Sequence, residues 1–460
     1  MPSLAGSASL AGHLPPSGRA APGPKGLPLV GSLFDFARDP IAFFEGCVTQ
    51  YGDFVAFRFG PQTSFLLNDP SEIERIFVKE HKAFPKAEHF WRQVRAVFGD
   101  GLLSSEGAFW QRQRRLAAPA FTPLALSHYA RAIVLASEQM VSSWQSGEVR
   151  DIHADMMGLT LKITAQALFG TQVDDDVAEV DAALDDVMEE IAARIKRPIL
   201  IPDAVPLPGH LRYRRGLTRL NAIVERIISE RRASPIETND LLSHLIHARD
   251  EDGSKMSDRQ LRDEVITFLL AGHETTALAL SWSIYLLGQH PEIDAYAATE
   301  AQREAKQGAE PTDYIPRLHR CSHVITESMR LYPPAWGLSR EAARDCEIGG
   351  YRVKAKTPIF TLPWILHRDA RYFDEPLTFR PQRWEDGLAQ RLPRFAYLPF
   401  GGGPRICIGN RFALMEATAV LATLLRRFRF VGQSDRAPKP FPSITLRPKG
   451  GVWVKLEARS

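Results

Sequence analysis

The sequence lacks any run of about 18 consecutive apolar residues, and its first residues lack a basic region followed by an unbroken apolar stretch. These two absences predict a chain without a transmembrane helix and without a signal peptide. Charge of one sign is also missing, because 57 Lys and Arg face 54 Asp and Glu with no long block of either sign. This balance argues against nucleic acid as a partner. We therefore expect a cytoplasmic protein without an integral membrane anchor.

Cysteine is scarce, with four in 460 residues and no pair spaced as Cys-x-x-Cys. The scarcity excludes a disulfide scaffold, and the spacing gives no indication of a structural zinc site or a thioredoxin-type pair. Each cysteine is therefore first interpreted as a small buried apolar side chain. The four are Cys47, Cys321, Cys346 and Cys407. Only the neighbours of Cys407 contradict this interpretation.

Several catalytic signatures are missing as well. His273-Glu274 begins a zinc-protease motif, but Ala277 stands where the second His is required. The glycines of 401–406 lack the last Gly of a dinucleotide-binding fingerprint, no phosphate-loop lysine follows them, and no Gly-x-Ser-x-Gly elbow occurs. These absences argue against a zinc protease, a nicotinamide dehydrogenase, a nucleotide hydrolase and a serine hydrolase.

The spacing of apolar residues predicts a mainly α fold with small β-sheets, in the α+β class. Alternation over residues 53–68 predicts a β-hairpin, and steps of three and four predict helices over 173–191 and 217–228. The longest helix is predicted from a capping box at Ser257 to the residues before Pro291. Because it is apolar on more than one side, we expect it to run through the centre of the molecule.

The chain shows no internal repeat and no linker beyond its first residues. We predict a flexible tail over 1–21, rich in Ala, Ser, Gly and Pro, and a single domain over 22–460. The apolar segment Ile199–Pro208 is broken by prolines, so it is neither a helix nor a central strand. A buried corner and a mobile hydrophobic lid are both open interpretations of it.

Cys407 lies in a glycine-rich segment directly before an amphipathic helix predicted to begin at Asn410. The unpaired N–H groups and positive end of a helix favour a thiolate over a thiol. The flanking glycines let the backbone approach a flat ligand, and Arg405 supplies a planar cation suited to a carboxylate. These are the features that a thiolate ligand to haem iron requires. We therefore predict that Cys407 is a metal ligand.

This segment resembles the haem-binding signature of the cytochrome P-450 family, Phe-x-x-Gly-x-Arg-x-Cys-x-Gly. Its fixed positions are present as Phe400, Gly403, Arg405, Cys407 and Gly409. The resemblance implies the cytochrome P-450 fold, with a long central helix over haem b (iron protoporphyrin IX). It also implies that all five residues belong to the cofactor site, with Arg405 on a haem propionate.

A second segment, Ala271-Gly-His-Glu-Thr275, is similar to the family's oxygen-activation motif. The resemblance implies that Ala271 and Gly272 leave room for dioxygen. It implies that Glu274 and Thr275 are catalytic, the first feeding protons inward and the second bonding at the dioxygen. Without the cysteine motif, the same residues would be an ordinary fragment from the middle of a helix.

Two further resemblances concern arginines around the haem. Trp110 and Arg114 match Trp-x-x-x-Arg, four residues apart on one helix face, and the family uses both to hold a propionate. Arg340 matches another propionate arginine through a looser pattern.

A pair of motifs implies a structural ion network. Glu327-x-x-Arg330 resembles the family's Glu-x-x-Arg, and Pro381-Gln-Arg383-Trp384 resembles Pro-x-Arg-Phe with Trp in place of Phe. The family pairs the later arginine with the earlier motif. The match implies a buried Glu327–Arg330–Arg383 network.

The resemblance implies a haem-thiolate monooxygenase that inserts one atom of O2 into a substrate by hydroxylation or epoxidation. The residues expected to form the pocket are mostly apolar, which favours a lipophilic substrate such as a fatty acid, terpenoid or steroid. These residues are Phe90, Trp91, Ile199–Pro208, Phe268, Leu269, Ala335–Leu338 and Phe441–Ile444.

No flavin or nicotinamide domain is recognised on the chain, so we expect a monomer that takes electrons from a ferredoxin and an NAD(P)H-dependent ferredoxin reductase. We hypothesise that Arg112, Arg115 and Arg411 meet this acidic partner. Two alternatives stay open: a peroxide-dependent peroxygenase or isomerase on the same fold, and a non-catalytic haem sensor or carrier. The intact Glu274-Thr275 pair argues against both.

Overall fold

The computed structural model describes residues 19–171, 177–196, 205–234, 240–249, 253–306 and 308–459. Its helices are α1 (Leu33–Arg38), α2 (Pro40–Tyr51), α3 (Pro70–Glu74), α4 (Glu88–Phe98), α5 (Gly107–Ala117), α6 (Pro123–Ser142), α7 (Ile152–Phe169), α8 (Val177–Lys196), α9 (Pro208–Ala233), α10 (Leu241–His247), α11 (Asp258–Leu287), α12 (Pro291–Glu304), α13 (Pro311–Tyr314), α14 (His319–Leu331), α15 (Pro363–Leu366), α16 (Leu388–Arg391) and α17 (Asn410–Arg427). Its strands are β1 (Phe54–Phe59), β2 (Gln62–Leu67), β3 (Val149–Asp151), β4 (Leu338–Glu341), β5 (Cys346–Ile348), β6 (Tyr351–Val353), β7 (Pro358–Thr361), β8 (Phe428–Gly432), β9 (Lys439–Pro442), β10 (Leu446–Lys449) and β11 (Trp453–Ala458). Helices predominate and strands are short, which confirms the predicted mainly α fold.

The strands of the described residues form four small sheets. The largest has the order β1-β2-β7-β4, and its β1–β2 hairpin pairs Phe54 with Leu67 and Phe59 with Gln62. A second sheet has the order β3-β11-β8, while β5–β6 and β9–β10 are separate antiparallel hairpins. The predicted hairpin over 53–68 is therefore confirmed.

Helix α11 runs through the centre of the molecule. The Ser257 hydroxyl accepts the Gln260 N–H, and the Gln260 side chain accepts the Ser257 N–H, so the predicted capping box is present. The helix has 30 residues, which span about 45 Å, and most of them are buried against α7, α14, α17 and α9. It ends at Leu287, and Pro291 begins the next helix, as the sequence predicts. Within the described ranges, no helix has both the length and the apolar character needed to cross a membrane.

Several predicted segments extend beyond the described residues. Residues 1–18 of the predicted tail lie outside them, as do Ile199–Ala204 of the apolar segment. The Arg19 carbonyl accepts the Arg352 N–H at 3.0 Å. The tail over 1–21 stays a prediction. The single domain over 22–460 stays a prediction.

A buried ion network joins α14 to the segment that leads toward Cys407. Glu327 accepts hydrogen bonds of 2.9 Å from Arg330 Nε and Nη2, from Arg383 Nε and from Trp384 Nε1. The predicted network is confirmed, and the indole N–H at Trp384 adds a donor that phenylalanine lacks. Tyr397 packs on Trp384 at 4.8 Å between ring centroids, so the network supports the start of the cysteine segment.

A buried carboxylic acid on α11 holds the segment between α4 and α5. Glu264 accepts the Leu102 N–H at 3.1 Å, and the neighbouring Asp263 accepts the Asp100 N–H at 2.9 Å. Burial raises the pKa of Glu264 to about 7, although the Leu102 N–H and the Gln113 side chain oppose the shift. Glu264 is therefore largely protonated below neutral pH in the folded protein.

Replacing Glu264 with glutamine is expected to change how stability depends on pH. Between the ordinary pKa of 4.5 and about 7, the folded protein holds a proton that the unfolded chain has lost, so stability falls as the pH rises through this window. Glu264→Gln removes this pH-dependent loss in the free energy of unfolding, which is on the order of 3 kcal/mol. Urea unfolding at pH 5 and pH 8 measures it, with Glu292→Gln on the surface of α12 as the control. Equal pH dependence in wild type and Glu264→Gln would refute the assignment.

Candidate active site

The segment around Cys407 is a tight loop before α17. The Phe400 carbonyl accepts the Cys407 N–H at 3.0 Å and closes the loop. Gly403 has φ +67°, and a Cβ there would lie 2.0 Å from the Phe77 carbonyl oxygen. Glycine is therefore required at this position both by the left-handed backbone and by the close approach of Phe77.

The Cys407 thiol is deep in the protein and yet accessible. Burial raises its pKa, while the Gly409 N–H, which bonds to the sulfur, and the nearby Arg114 charge lower it. Burial outweighs these two neighbours, so the protein alone favours the thiol, and the thiolate form of Cys407 stays a prediction. A thiol that is both deep and accessible lines an internal opening, and a cation bound there would favour the thiolate.

Arg405, two residues before Cys407, and Arg340 form a group of positive charge. Arg405 pairs with Glu106, donates to the Ser105 carbonyl at 3.3 Å, and lies 4.1 Å over the Trp110 ring. Burial lowers the pKa of Arg340 to about 10, and the Arg405 charge adds to the effect. The structure therefore brings together two arginines that are far apart in the sequence.

Lys86 is a member of this group that sequence reasoning missed. Its Nζ donates to the carbonyls of Leu103 and Ser105, at 2.5 and 3.0 Å. Burial and then the Arg405 charge lower its pKa to about 7, with Glu106 opposing. Nothing in the spacing marks a lone lysine between apolar residues. Within the part of the chain that the structure describes, only one carboxylate, that of Glu106, acts on the three cations Lys86, Arg340 and Arg405. This surplus of positive charge suits an anionic ligand.

Trp110 and Arg114 lie on one face of α5, as their spacing predicts. Trp110 is between the two arginines, with Arg405 at 4.1 Å and Arg114 at 6.0 Å from its ring centroid. Arg114 Nη1 donates to the Ile406 carbonyl at 2.8 Å. Arg114 thus contacts the residue before the cysteine and affects the charge state of the thiol.

Helix α11 faces the cysteine segment through an aromatic contact. Phe121 stacks on Phe268 of α11 at 5.7 Å between ring centroids, and a Cβ at Gly409 would lie 3.6 Å from the Phe121 ring. Ala271 and Thr275, one and two turns beyond Phe268, are partly accessible although most of the helix is buried. These positions place the oxygen-activation motif beside the internal opening.

The motif residues differ in what they contact. The Thr275 hydroxyl donates to the Ala271 carbonyl at 2.7 Å, which leaves its lone pairs available as acceptors. A Cβ at Gly272 would lie 3.3 Å from Thr164 Oγ1, so this glycine also lets α7 approach α11. The close packing of α7 on α11 therefore depends on the small residue at position 272.

Glu274 is buried and fully engaged on the β9–β10 side. Its carboxylate accepts hydrogen bonds from Thr445 Oγ1 at 2.7 Å and from Arg447 Nε at 2.6 Å. Burial alone would raise the pKa of Glu274, but the charge and hydrogen bond of Arg447 and the Thr445 hydroxyl together lower it. Glu274 is therefore an ionised partner of Arg447 in this structure.

Comparison with known families agrees with the fold and the site. The family model described as cytochrome P450 matches residues 21–454. The chain belongs to the cytochrome P450 family. The match includes the cysteine loop, the motif on α11 and the buried network of Glu327.

Three curated relatives are similar to this P450 over nearly their whole length. Cyclooctatin synthase of Streptomyces melanosporofaciens is 35% identical over 431 residues, covering 93% of this chain and 91% of the relative. Pentalenene oxygenase of Streptomyces avermitilis is 32% identical over 445 residues, with 96% and 98% coverage. Cyclooctat-9-en-7-ol 5-monooxygenase of Streptomyces melanosporofaciens is 35% identical over 426 residues, with 92% and 90% coverage. The protein is accordingly a P450 monooxygenase, an oxidoreductase.

Family membership implies a haem cofactor, O2, an organic substrate and a redox partner. The residues of this P450 fit a haem. Cys407 presents an accessible thiol beside the Gly409 N–H, as an iron ligand requires. The surplus cations Lys86, Arg340 and Arg405 suit the two negative charges of the propionates.

Proposed function

We propose that this P450 binds haem b through Cys407 and oxidises a terpenoid by hydroxylation or epoxidation, with electrons from a ferredoxin. The observation that carries the proposal is the Cys407 thiol, deep yet accessible, close to Arg114 and on the same loop as Arg405, whose charge acts on the buried Lys86 and Arg340. A non-catalytic carrier has no use for a hydroxyl and a carboxylate placed as Thr275 and Glu274 are.

Cys407 holds the iron, and the Gly409 N–H and Arg114 stabilise its negative charge. Lys86, Arg340 and Arg405 hold the propionates. The following residues complete the cofactor site: Phe400 and Gly403 shape the loop, Trp110 and Arg114 support it from α5, and Ala271 and Gly272 bound the space for dioxygen. The haem supplies the reductive activation of O2, which the thiolate promotes by donating electron density.

Thr275 and Glu274 deliver the protons that O2 reduction consumes. Thr275 is partly accessible, and its hydroxyl oxygen has lone pairs that can accept a hydrogen bond while the hydroxyl donates to the Ala271 carbonyl. An ionised carboxylate can only accept hydrogen bonds and has no proton to donate. Glu274 must therefore give up its hydrogen bonds with Arg447 and Thr445 and take up a proton before it can act as an acid. Proton supply to Glu274 is therefore a controlled step in this chain.

The terpenoid assignment is supported by the names of the relatives and by the pocket residues. Pentalenene oxygenase and cyclooctat-9-en-7-ol 5-monooxygenase are named for terpenoid substrates. In this chain Phe268 and Leu269 are buried, and all of Ala335–Leu338 is partly accessible. Mostly apolar walls suit a compact hydrocarbon without an ionic group.

The electron donor is proposed to be a ferredoxin, reduced by an NAD(P)H-dependent ferredoxin reductase, and the enzyme is proposed to act as a monomer. Arg115 and Arg411, on α5 and at the start of α17, are exposed on the elements that flank the cysteine loop. Positive side chains there suit the acidic surface of a ferredoxin.

A titration of the haem-loaded ferric enzyme tests the substrate class. We expect pentalenene and other cyclic terpene hydrocarbons to shift the ferric spin state at lower concentration than lauric acid or progesterone. With O2, NADPH, a ferredoxin and its reductase, the terpene should give a product one oxygen atom heavier. A lower dissociation constant for the fatty acid or the steroid, with a corresponding oxygenated product, would contradict the terpenoid assignment.

A further inference from the structure

Titratable side chains from four elements surround Glu274. Their charges act on one another, which places them in one cluster. The members are His153 on α7, Asp181 and Asp185 on α8, His273 and Glu274 on α11, and Arg447 on β10. The oxygen-activation motif therefore continues into a polar region that reaches α8.

Four buried polar atoms in this cluster have no hydrogen-bond partner among the described residues: Asp181 Oδ1, His273 Nδ1 and Nε2, and Arg447 Nη2. His273 Nε2 lies 3.5 Å from Asp181 Oδ1, which is too long for a well-formed hydrogen bond. Buried polar groups left unpaired by the protein are commonly satisfied by internal water. These atoms on α8, α11 and β10 mark such a water site next to Glu274.

The cluster also connects the interior to solvent. The Asp181 side chain is 29% exposed, whereas those of His273 and Glu274 are 0% and 4% exposed. Burial raises the pKa of Asp181 to about 6, with Asp185 and Glu274 adding to the shift and Arg447 opposing it. Burial lowers the pKa of His273 to about 4, so its ring is neutral at working pH. Asp181 is thus an acid that reaches solvent and titrates close to neutrality.

We propose that Asp181 takes up protons from solvent and passes them, through water at His273, to Glu274. This inference rests on the proposed function of Glu274. In each transfer the O–H bond of Asp181 breaks, an O–H bond forms on Glu274, and Asp181 regains a proton from solvent. No electrons move in these steps.

The contacts of Arg447 let Glu274 become protonated without leaving the buried guanidinium charge unpaired. Its Nη1 contacts Asp185 Oδ1 at 2.7 Å, while its Nε contacts Glu274. When Glu274 becomes neutral, Asp185 still balances the guanidinium. The arrangement therefore tolerates both charge states of Glu274.

Asp181→Asn tests the relay in the haem-loaded enzyme, with Asp186→Asn as its matched control. Asp186 is on the same helix and equally exposed, but it faces Arg212 at 3.6 Å instead of the cluster. We expect Asp181→Asn to keep the carbon-monoxide spectrum and the substrate-induced spin shift. We expect it to lower product formed per O2 consumed by about fivefold, to raise the solvent deuterium isotope effect, and to remove the change in rate near pH 6. The control should resemble wild type in all three measurements.

The outcomes separate the relay from the proposed function. Equal coupling, isotope effect and pH profile in Asp181→Asn and Asp186→Asn would overturn the relay. Asp181→Glu keeps an acid and should retain most of the wild-type coupling; a loss as large as that of Asp181→Asn would also overturn it. A wild-type enzyme without a thiolate-type spectrum would instead contradict the proposed haem ligand.

Discussion

Replacing Cys407 with alanine is expected to abolish oxygenation, with a loss of more than about 100-fold in product formation. The variant lacks the anionic sulfur that donates electron density to the iron, so O–O cleavage is no longer favoured. Haem binding should weaken as well, because the other contacts of the site are charge pairs and ring contacts with the periphery of the cofactor. Product analysis with a terpene substrate measures the first effect, and haem content after gel filtration measures the second.

Cys346→Ala is the control for this substitution. Cys346 is a partly buried thiol on β5, where it pairs with Val353 of β6. It should keep wild-type haem content and activity. Oxygenation by Cys407→Ala at a rate near that of wild type would refute Cys407 as the ligand.

Replacing Thr275 with alanine is expected to divert most reducing equivalents from product to hydrogen peroxide. Without the hydroxyl, protons from Glu274 are not directed to the dioxygen. The two-electron-reduced O2 is then released as hydrogen peroxide. We expect product per NADPH to fall roughly tenfold or more while O2 consumption continues. The ratio of product to peroxide, measured in one reaction mixture, reports the change.

Thr299→Ala controls for the local helix effect of this change. The Thr299 hydroxyl bonds to the Ala295 carbonyl at 2.8 Å, as the Thr275 hydroxyl bonds to Ala271, but it lies on the surface of α12. A change in coupling confined to Thr275→Ala therefore reports proton delivery and not the loss of a hydroxyl from a helix. Full coupling in Thr275→Ala would contradict the proposed role of the hydroxyl.

Patterns that are local in sequence predicted the fold well. The capping box at Ser257 fixes the start of α11 because the residues that satisfy it are three apart. The hairpin over 53–68 follows from alternation and its turn. The hydrogen bond between Arg19 and Arg352 could not be predicted in this way, because it joins residues more than 300 positions apart.

The candidate site was predictable where a motif concentrates its chemistry, as around Cys407. Lys86 was missed because its depth and its nearness to Arg405 arise only in the folded chain. The Arg447 contact of Glu274 was missed for the same reason: it joins α11 to a strand near the C-terminus. Motifs indicate which atoms react, whereas the surrounding charges depend on tertiary packing.

The carbon-monoxide difference spectrum of the reduced, haem-loaded wild-type protein tests the central claim most directly. A thiolate ligand to the iron gives the carbon-monoxide complex a Soret band at distinctly longer wavelength than a neutral ligand gives. We predict that the wild-type protein shows this long-wavelength band and that Cys407→Ala does not. A band only at the shorter wavelength in freshly prepared wild-type protein would contradict Cys407 as a thiolate ligand.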